Sequence, residues 1–266
     1  MYNDLLKIGP IVLHSYGLLI GIGFLAAVFI AERRAPKNGM DADTVAYFGM
    51  YCAITGILGA KILFVIVNWR AFLKAPLSVL GTDGLVVYGG IIGGILCAVI
   101  YCKLKRTNFW DYFDLVLPSV AVAQGFGRLG CFMAGCCYGE RTDAWYGIAF
   151  SHSNYAPNGV KLIPTQLLSS AGMFLIALLL FGYANRAKKA GQVGAVYLML
   201  YSIGRFLVEF LRGDLERGSI GSLSTSQFIS IFILVIGIAI WFFRSGSKDD
   251  RLQAAAYGSS KSQDAK

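Results

Sequence analysis

Seven apolar windows separated by short polar joints constrain this chain more than any single motif. A run of about 20 residues with few charges is long enough to cross a bilayer as a helix. In hydrocarbon only helices and closed barrels satisfy all of their backbone groups. The windows fall at 11–31, 44–67, 85–101, 112–133, 166–184, 193–211 and 224–243. The expectation is therefore an all-α, polytopic integral membrane protein of about seven helices. A hydrophobic share of 56% and a mean hydropathy of +0.60 exceed those of soluble domains and agree with it. The first window is too long for a signal peptide, and no small-residue cleavage pattern precedes Glu32, Arg33 and Arg34. It reads as a retained helix.

Cytoplasmic loops hold the excess of Lys and Arg. Counting alternate loops places fourteen of the 24 on one side, from Arg33, Arg34 and Lys37 through Lys188 and Arg244 to the tail, and six on the other. Lys61, Arg128, Arg205 and Arg212 remain within or at the ends of spans. The N-terminus is expected outside and the C-terminus in the cytoplasm. The net charge of +9 suits an anionic leaflet and requires no nucleic acid. Residues 1–245 read as one membrane domain with an extracytoplasmic loop at about 134–163, and 246–266 as a disordered cytoplasmic tail.

Chemistry concentrates in GRLGCFMAGCCYG, residues 127–139. A charge at membrane depth marks a functional site unless it snorkels from a helix end, and Arg128 stands near the end of the fourth window. Gly125, Gly127, Gly130, Gly135 and Gly139 strip side chains from its surroundings, so neighbouring backbone can approach. A guanidinium fork in such a pocket fits phosphate, and an anionic lipid is the first ligand to consider. Cys52, Cys97 and Cys102 read as buried small hydrophobes. C-x4-CC has neither zinc-finger spacing nor a nearby histidine, so neither a metal nor another cofactor is expected.

Other polar residues sit at membrane depth. Tyr16 reads first as an interfacial anchor, and Lys61 either snorkels or finds a partner or water. Tyr88 places a phenol among glycine pairs, and Asp114, Pro118 and Gln124 precede Arg128 on one segment. Arg205, Glu209 and Arg212 share a helix face by their spacing, and two cations to one acid leave a positive charge for a ligand. The loop segment 68–83 mixes Trp69, Phe72 and Leu73 with Arg70 and Lys74, as an interfacial helix does. Ser222 or Ser224 is placed to cap the last helix.

In order and spacing, these residues resemble the prolipoprotein diacylglyceryl transferases of bacterial inner membranes. The similarity covers GRLGCFMAGCCYG, Tyr16-Gly17, Gly59-Ala60-Lys61, Tyr88-Gly89-Gly90, Asp114 with Pro118, Pro164-Thr165-Gln166-Leu167, and Arg205, Glu209 and Arg212. The resemblance implies a multi-pass inner-membrane enzyme that moves diacylglyceryl from phosphatidylglycerol to the lipobox cysteine of a prolipoprotein, forming a thioether and releasing glycerol phosphate. It implies catalytic use of Arg128, Arg205 and Tyr88, and substrate binding by Arg128, Tyr16, Lys61, Gln124, Gly127, Glu209 and Arg212. The chain departs from the family pattern at Cys131, Ala134 and Cys136, where Asn, Asn and Glu are usual. Tyr88 stands where His is common. Roles tied to those family side chains do not carry over. Two other functions compete: a protein that binds or moves phospholipid without making bonds, and a transferase of the same fold acting on another thiol.

Overall fold

The computed structural model describes residues 4–8, 11–81, 84–153, 155–187, 189–214, 218–221 and 223–243. Lys188, Arg217, Ser222, Arg244 and the 246–266 tail lie outside them. The chain is predominantly helical and forms two compact units, one of residues 31–112 and one of residues 1–30 and 113–266.

In the first-named unit, α2 (Ala42–Val67) and α5 (Val87–Leu104) pack backbone to backbone. A Cβ on Gly59 or Gly89 would collide with the carbonyl oxygen of the other, and one on Gly93 would meet Thr55 O at 2.5 Å. Small residues supply such contact where lipid removes the hydrophobic drive between helices. Asp41 caps α2, its carboxylate accepting from Thr44 N and Oγ1 at 2.7 Å each. Those bonds hold its carboxyl below the usual range. The expected interfacial segment is two short helices, α3 (Trp69–Lys74) and α4 (Pro76–Gly81).

The other unit opens with strands β1 (Asp4–Ile8) and β2 (Ile11–His14), paired antiparallel. Residues 11–14, expected to start the first span, are therefore strand, and α1 begins at Ser15 and runs to Arg34. α6 (Phe109–Ala134) continues through Pro118. α7 (Thr165–Ala184), α8 (Gln192–Glu209) and α9 (Thr225–Phe243) follow. Leu117 and Ala121 of α6, Met173, Ala177 and Leu180 of α7, and Val193 and Tyr197 of α8 form the core. Asp114, 2% exposed, accepts from Gly191 N at 2.8 Å and Gly194 N at 2.9 Å, satisfying the start of α8. That use is structural, about four turns of α6 from Arg128.

The 135–164 connection folds around Phe150, Ala156 and Leu162, with a ladder between β3 (Ile148–Ala149) and β4 (Lys161–Leu162). Strands β5 (Ser219–Ile220) and β6 (Leu223–Ser224) lead into α9. Ser224 Oγ accepts from Gln227 N at 3.2 Å while Gln227 Oε1 accepts from Ser224 N at 3.1 Å, a reciprocal capping box. Six described helices, α1, α2, α5, α6, α7 and α9, are long and apolar enough to cross a membrane. α8 forms over the expected sixth window, but Arg205 and Glu209 within its 18 residues dilute its apolar character. Exposed side chains such as Leu25, Ile57, Leu178 and Phe243 give these helices surfaces suited to lipid.

Candidate active site

The last turns of α6 carry Gln124, Gly127, Arg128 and Cys131, and the helix stops where Gly135 takes a left-handed φ of +76°. A Cβ at Gly135 would collide with the Ser153 Oγ, so the turn needs glycine on two counts. The half-buried Arg128 makes no hydrogen bond or ion pair among the described residues. It lines an open-sided cleft together with Arg205 of α8. Leu168, Met173 and Ile176 of α7 and Val208 of α8 supply apolar wall, and Ser169 and Tyr201 add hydroxyls. Two guanidinium groups beside a greasy wall suit a molecule with an anionic head and acyl tails.

Arg205 is held in place. Its Nη1 stands 2.7 Å from Glu209 Oε2, and its Nη2 donates to Ser226 Oγ of α9 at 2.7 Å. Arg212 lies past the end of α8 rather than on its face. Its Nε donates to Asp214 Oδ1 at 3.0 Å, its Nη2 meets the other oxygen of that carboxylate, and Nη1 is 3.9 Å from Glu209 Oε2. The expected spare cation of the Arg-Glu-Arg series is thus not Arg212, because Asp214 engages it. Among the described residues lining this cleft, the cation without a hydrogen bond or ion pair is Arg128.

Tyr16, 43% exposed, lies against Gly130, where an added Cβ would come within 3.1 Å of its ring. It is within electrostatic reach of Arg128 and of Cys131, Cys136 and Cys137. Gln124 Oε1 accepts from the Tyr197 hydroxyl at 2.8 Å, so this oxygen is committed to the helix core. Gly127 faces open space, with nothing within 4 Å of an added Cβ; close approach does not explain it. Lys61 and Tyr88 belong to the 31–112 unit. Lys61 Nζ donates to Val79 O at 3.3 Å and lies over the Phe64 ring, which ties α2 to α4. Tyr88 is an exposed residue of α5.

The fold also gathers three thiols that the C-x4-CC spacing did not suggest as a centre. The Sγ atoms of Cys131, Cys136 and Cys137 all lie within 4.8 Å of one another. Hydrogen bonds from Cys131 and then Cys136 pull the Cys137 thiol well below its ordinary range, with Arg212 and Arg128 adding to the effect against burial. Hydrogen bonding to the same two neighbours, Cys131 first, pushes Cys136 upward. Sequence reasoning missed Ser226, which stands in the first turn of α9, and Asp214, which has no periodic signal because it lies beyond the helix.

Residues 3–243 match the sequence profile of the family described as prolipoprotein diacylglyceryl transferase. A phosphatidylglycerol–prolipoprotein diacylglyceryl transferase of Clostridium tetani is 46% identical over 231 residues, which cover 86% of this chain and 92% of that protein. A second such protein, numbered 2, from Clostridium perfringens is 46% identical over 233 residues, covering 86% and 90%. One from Halalkalibacterium halodurans is 34% identical over 249 residues, covering 90% and 85%.

Proposed function

The chain belongs to the prolipoprotein diacylglyceryl transferase family, and from that premise we propose that it uses Arg128 and Arg205 to carry diacylglyceryl from phosphatidylglycerol to a prolipoprotein thiol. The carrying observation is the cavity that Arg128 and Arg205 share, with Arg128 unengaged by any described protein group. The peptide sulfur attacks the terminal glycerol carbon of the lipid, a carbon–sulfur bond forms, and the carbon–oxygen bond breaks with its electron pair departing on glycerol phosphate. Charge grows on the phosphate ester oxygen as that bond breaks. Arg128 meets this charge directly, and Arg205, oriented by Glu209 and Ser226, adds a second donor. The apolar wall from α7 and α8 takes the acyl chains.

Tyr16 borders the approach to Arg128, and Gly127 keeps open room beside it. Glu209 and Arg212 act by positioning Arg205. On family resemblance alone, Tyr88 keeps its catalytic assignment and Lys61 and Gln124 their substrate-binding one. The proposed setting is the bacterial inner membrane, N-terminus outside, with a lipobox peptide as acceptor. The deciding experiment supplies phosphatidylglycerol and a lipobox peptide to the purified protein. A peptide heavier by one diacylglyceryl group, matched by released glycerol phosphate, is the expected result. Lipid retention without release would instead favour a lipid-binding or lipid-moving protein.

A further inference from the structure

Among the described residues, Cys131, Cys136 and Cys137 form the one group of three or more His, Cys, Asp or Glu side chains close enough to share an ion. Zinc–sulfur bonds of about 2.3 Å put tetrahedral sulfurs about 3.8 Å apart, so sulfurs now within 4.8 Å need to close by about 1 Å at most. Their backbones are already positioned. Gln166 Nε2 donates to Cys136 O at 2.7 Å, Thr165 Oγ1 donates to Cys137 O at 2.8 Å, and Cys136 N donates to Cys131 O at 3.1 Å. Cys137 has a φ of +58°, a conformation that a residue with a side chain seldom adopts unless its surroundings hold it there.

Three thiolates and a dication carry a net charge of −1, and Arg128 and Arg212 are both within electrostatic reach of Cys137. The site therefore sits among compensating positive charge. No fourth His, Cys, Asp or Glu joins the group among the described residues. Three protein ligands and one open position is the pattern of a reactive zinc centre, whereas structural zinc is closed by four.

We propose that Cys131, Cys136 and Cys137 bind a thiophilic d10 dication, zinc or its chemical equivalent cadmium, and that the open position takes the acceptor thiol. The proposal rests on the transferase reading for its second half only. The peptide thiol displaces water from the ion and its proton passes to solvent. The ion-bound sulfur then attacks the glycerol carbon, the carbon–oxygen pair leaves on glycerol phosphate, and the thioether, a poor ligand, gives way to water. The ion keeps its charge throughout, and no oxidant or reductant is consumed. This supplies a thiolate beside Arg128, with two of the three ligands, Cys131 and Cys136, at positions where the chain departs from its family's pattern.

The test uses the full-length protein in detergent, reduced with a phosphine, stripped with chelator and titrated with Cd²⁺. Ultraviolet thiolate-to-cadmium absorption and native mass spectrometry should report one ion per chain. Cys131→Ser, Cys136→Ser and Cys137→Ser should each weaken binding by more than about tenfold, the lower bound for losing even an outer-shell partner. Cys52→Ser with Cys97→Ser should leave it unchanged. A lipobox peptide should alter the band, and its Cys→Ser form should not. No retained ion, equal uptake by the triple serine variant, or a disulfide in the cluster with no uptake after reduction would overturn the centre. A bound ion whose band ignores the peptide, or full transfer after stripping, would overturn its use of the open position. A centre that binds ion and peptide in a protein without transfer would defeat the transferase reading and leave the metal site standing.

Discussion

Arg205 Nη1 lies 2.7 Å from Glu209 Oε2, while Arg128, lining the same cavity, has no such partner among the described residues. The pair divides two tasks. One guanidinium is anchored as part of the wall, and the other is engaged by no described protein group. Arg128→Lys keeps the charge and removes the planar fork, so turnover should fall on the order of 10²-fold or more. Lipobox-peptide mass spectrometry at saturating phosphatidylglycerol measures it; a near-parent rate would rule out the clamp.

Glu209 is buried between two arginines, with Arg205 at 2.7 Å and Arg212 at 3.9 Å. Removing one partner from a buried ion pair leaves an uncompensated charge, which costs about 3–5 kcal/mol. Glu209→Gln should therefore lower the thermal midpoint in detergent as well as turnover. Asp214→Asn, which disturbs the more accessible end of the chain of charges, should lower it less. The reverse order would mean that Glu209 does not organise the arginines.

Ser226 reaches Arg205 across from α9 through a single 2.7 Å hydrogen bond to a charged group. Bonds of this kind contribute about 1.5–3 kcal/mol. Ser226→Ala should cost activity by about tenfold or more and leave protein yield unchanged, while Arg205→Ala should cost more. Arg244→Ala, beyond α9 and outside the described residues, removes the same charge and should be nearly silent. Equal turnover in all three variants would argue against a specific headgroup site.

Much of the helical framework was legible because membrane hydrocarbon imposes one rule on every window: about 20 apolar residues, closed by their own backbone bonds. Arg128 was legible as a candidate for the same reason, since a cation in such a window calls for a ligand, a partner or water. What escaped depends on contacts between distant segments. Asp114 looked like a neighbour of Arg128 by sequence, yet its carboxylate is committed 77 and 80 residues away at the start of α8. Arg212 looked helical until the chain turned at Phe210 and brought Asp214 beside it. The thiol cluster forms only because α6 ends at Gly135 and α7 pins the carbonyls of Cys136 and Cys137, and none of these conditions has a periodic signature.

Gly127 and Gly125 separate packing from chemistry. A Cβ at Gly125 would meet the Phe174 ring at 2.7 Å, whereas one at Gly127 would meet nothing within 4 Å. Gly125→Ala should destabilise the protein by about 1–3 kcal/mol through overpacking. Gly127→Ala should melt with the parent. Any loss of transfer in Gly127→Ala then reports crowding of the ligand rather than of the fold, and a large drop in its melting temperature would contradict the open space beside Arg128.

The cysteines beside Arg128 invite a two-step reaction in which an enzyme thiol accepts the diacylglyceryl group first. Such an intermediate would be a thioether, and passing its alkyl group onward would require a thiolate to leave from carbon, a far poorer departure than that of a phosphate ester anion. Covalent catalysis helps only when the intermediate breaks down faster than the direct reaction proceeds. No described group is placed to activate carbon–sulfur cleavage. Transfer should therefore be direct, and intact-protein mass spectrometry during turnover should find no diacylglyceryl adduct on Cys131, Cys136 or Cys137. An adduct formed with lipid alone, and then chased onto added peptide at the turnover rate, would replace direct transfer with a ping-pong mechanism.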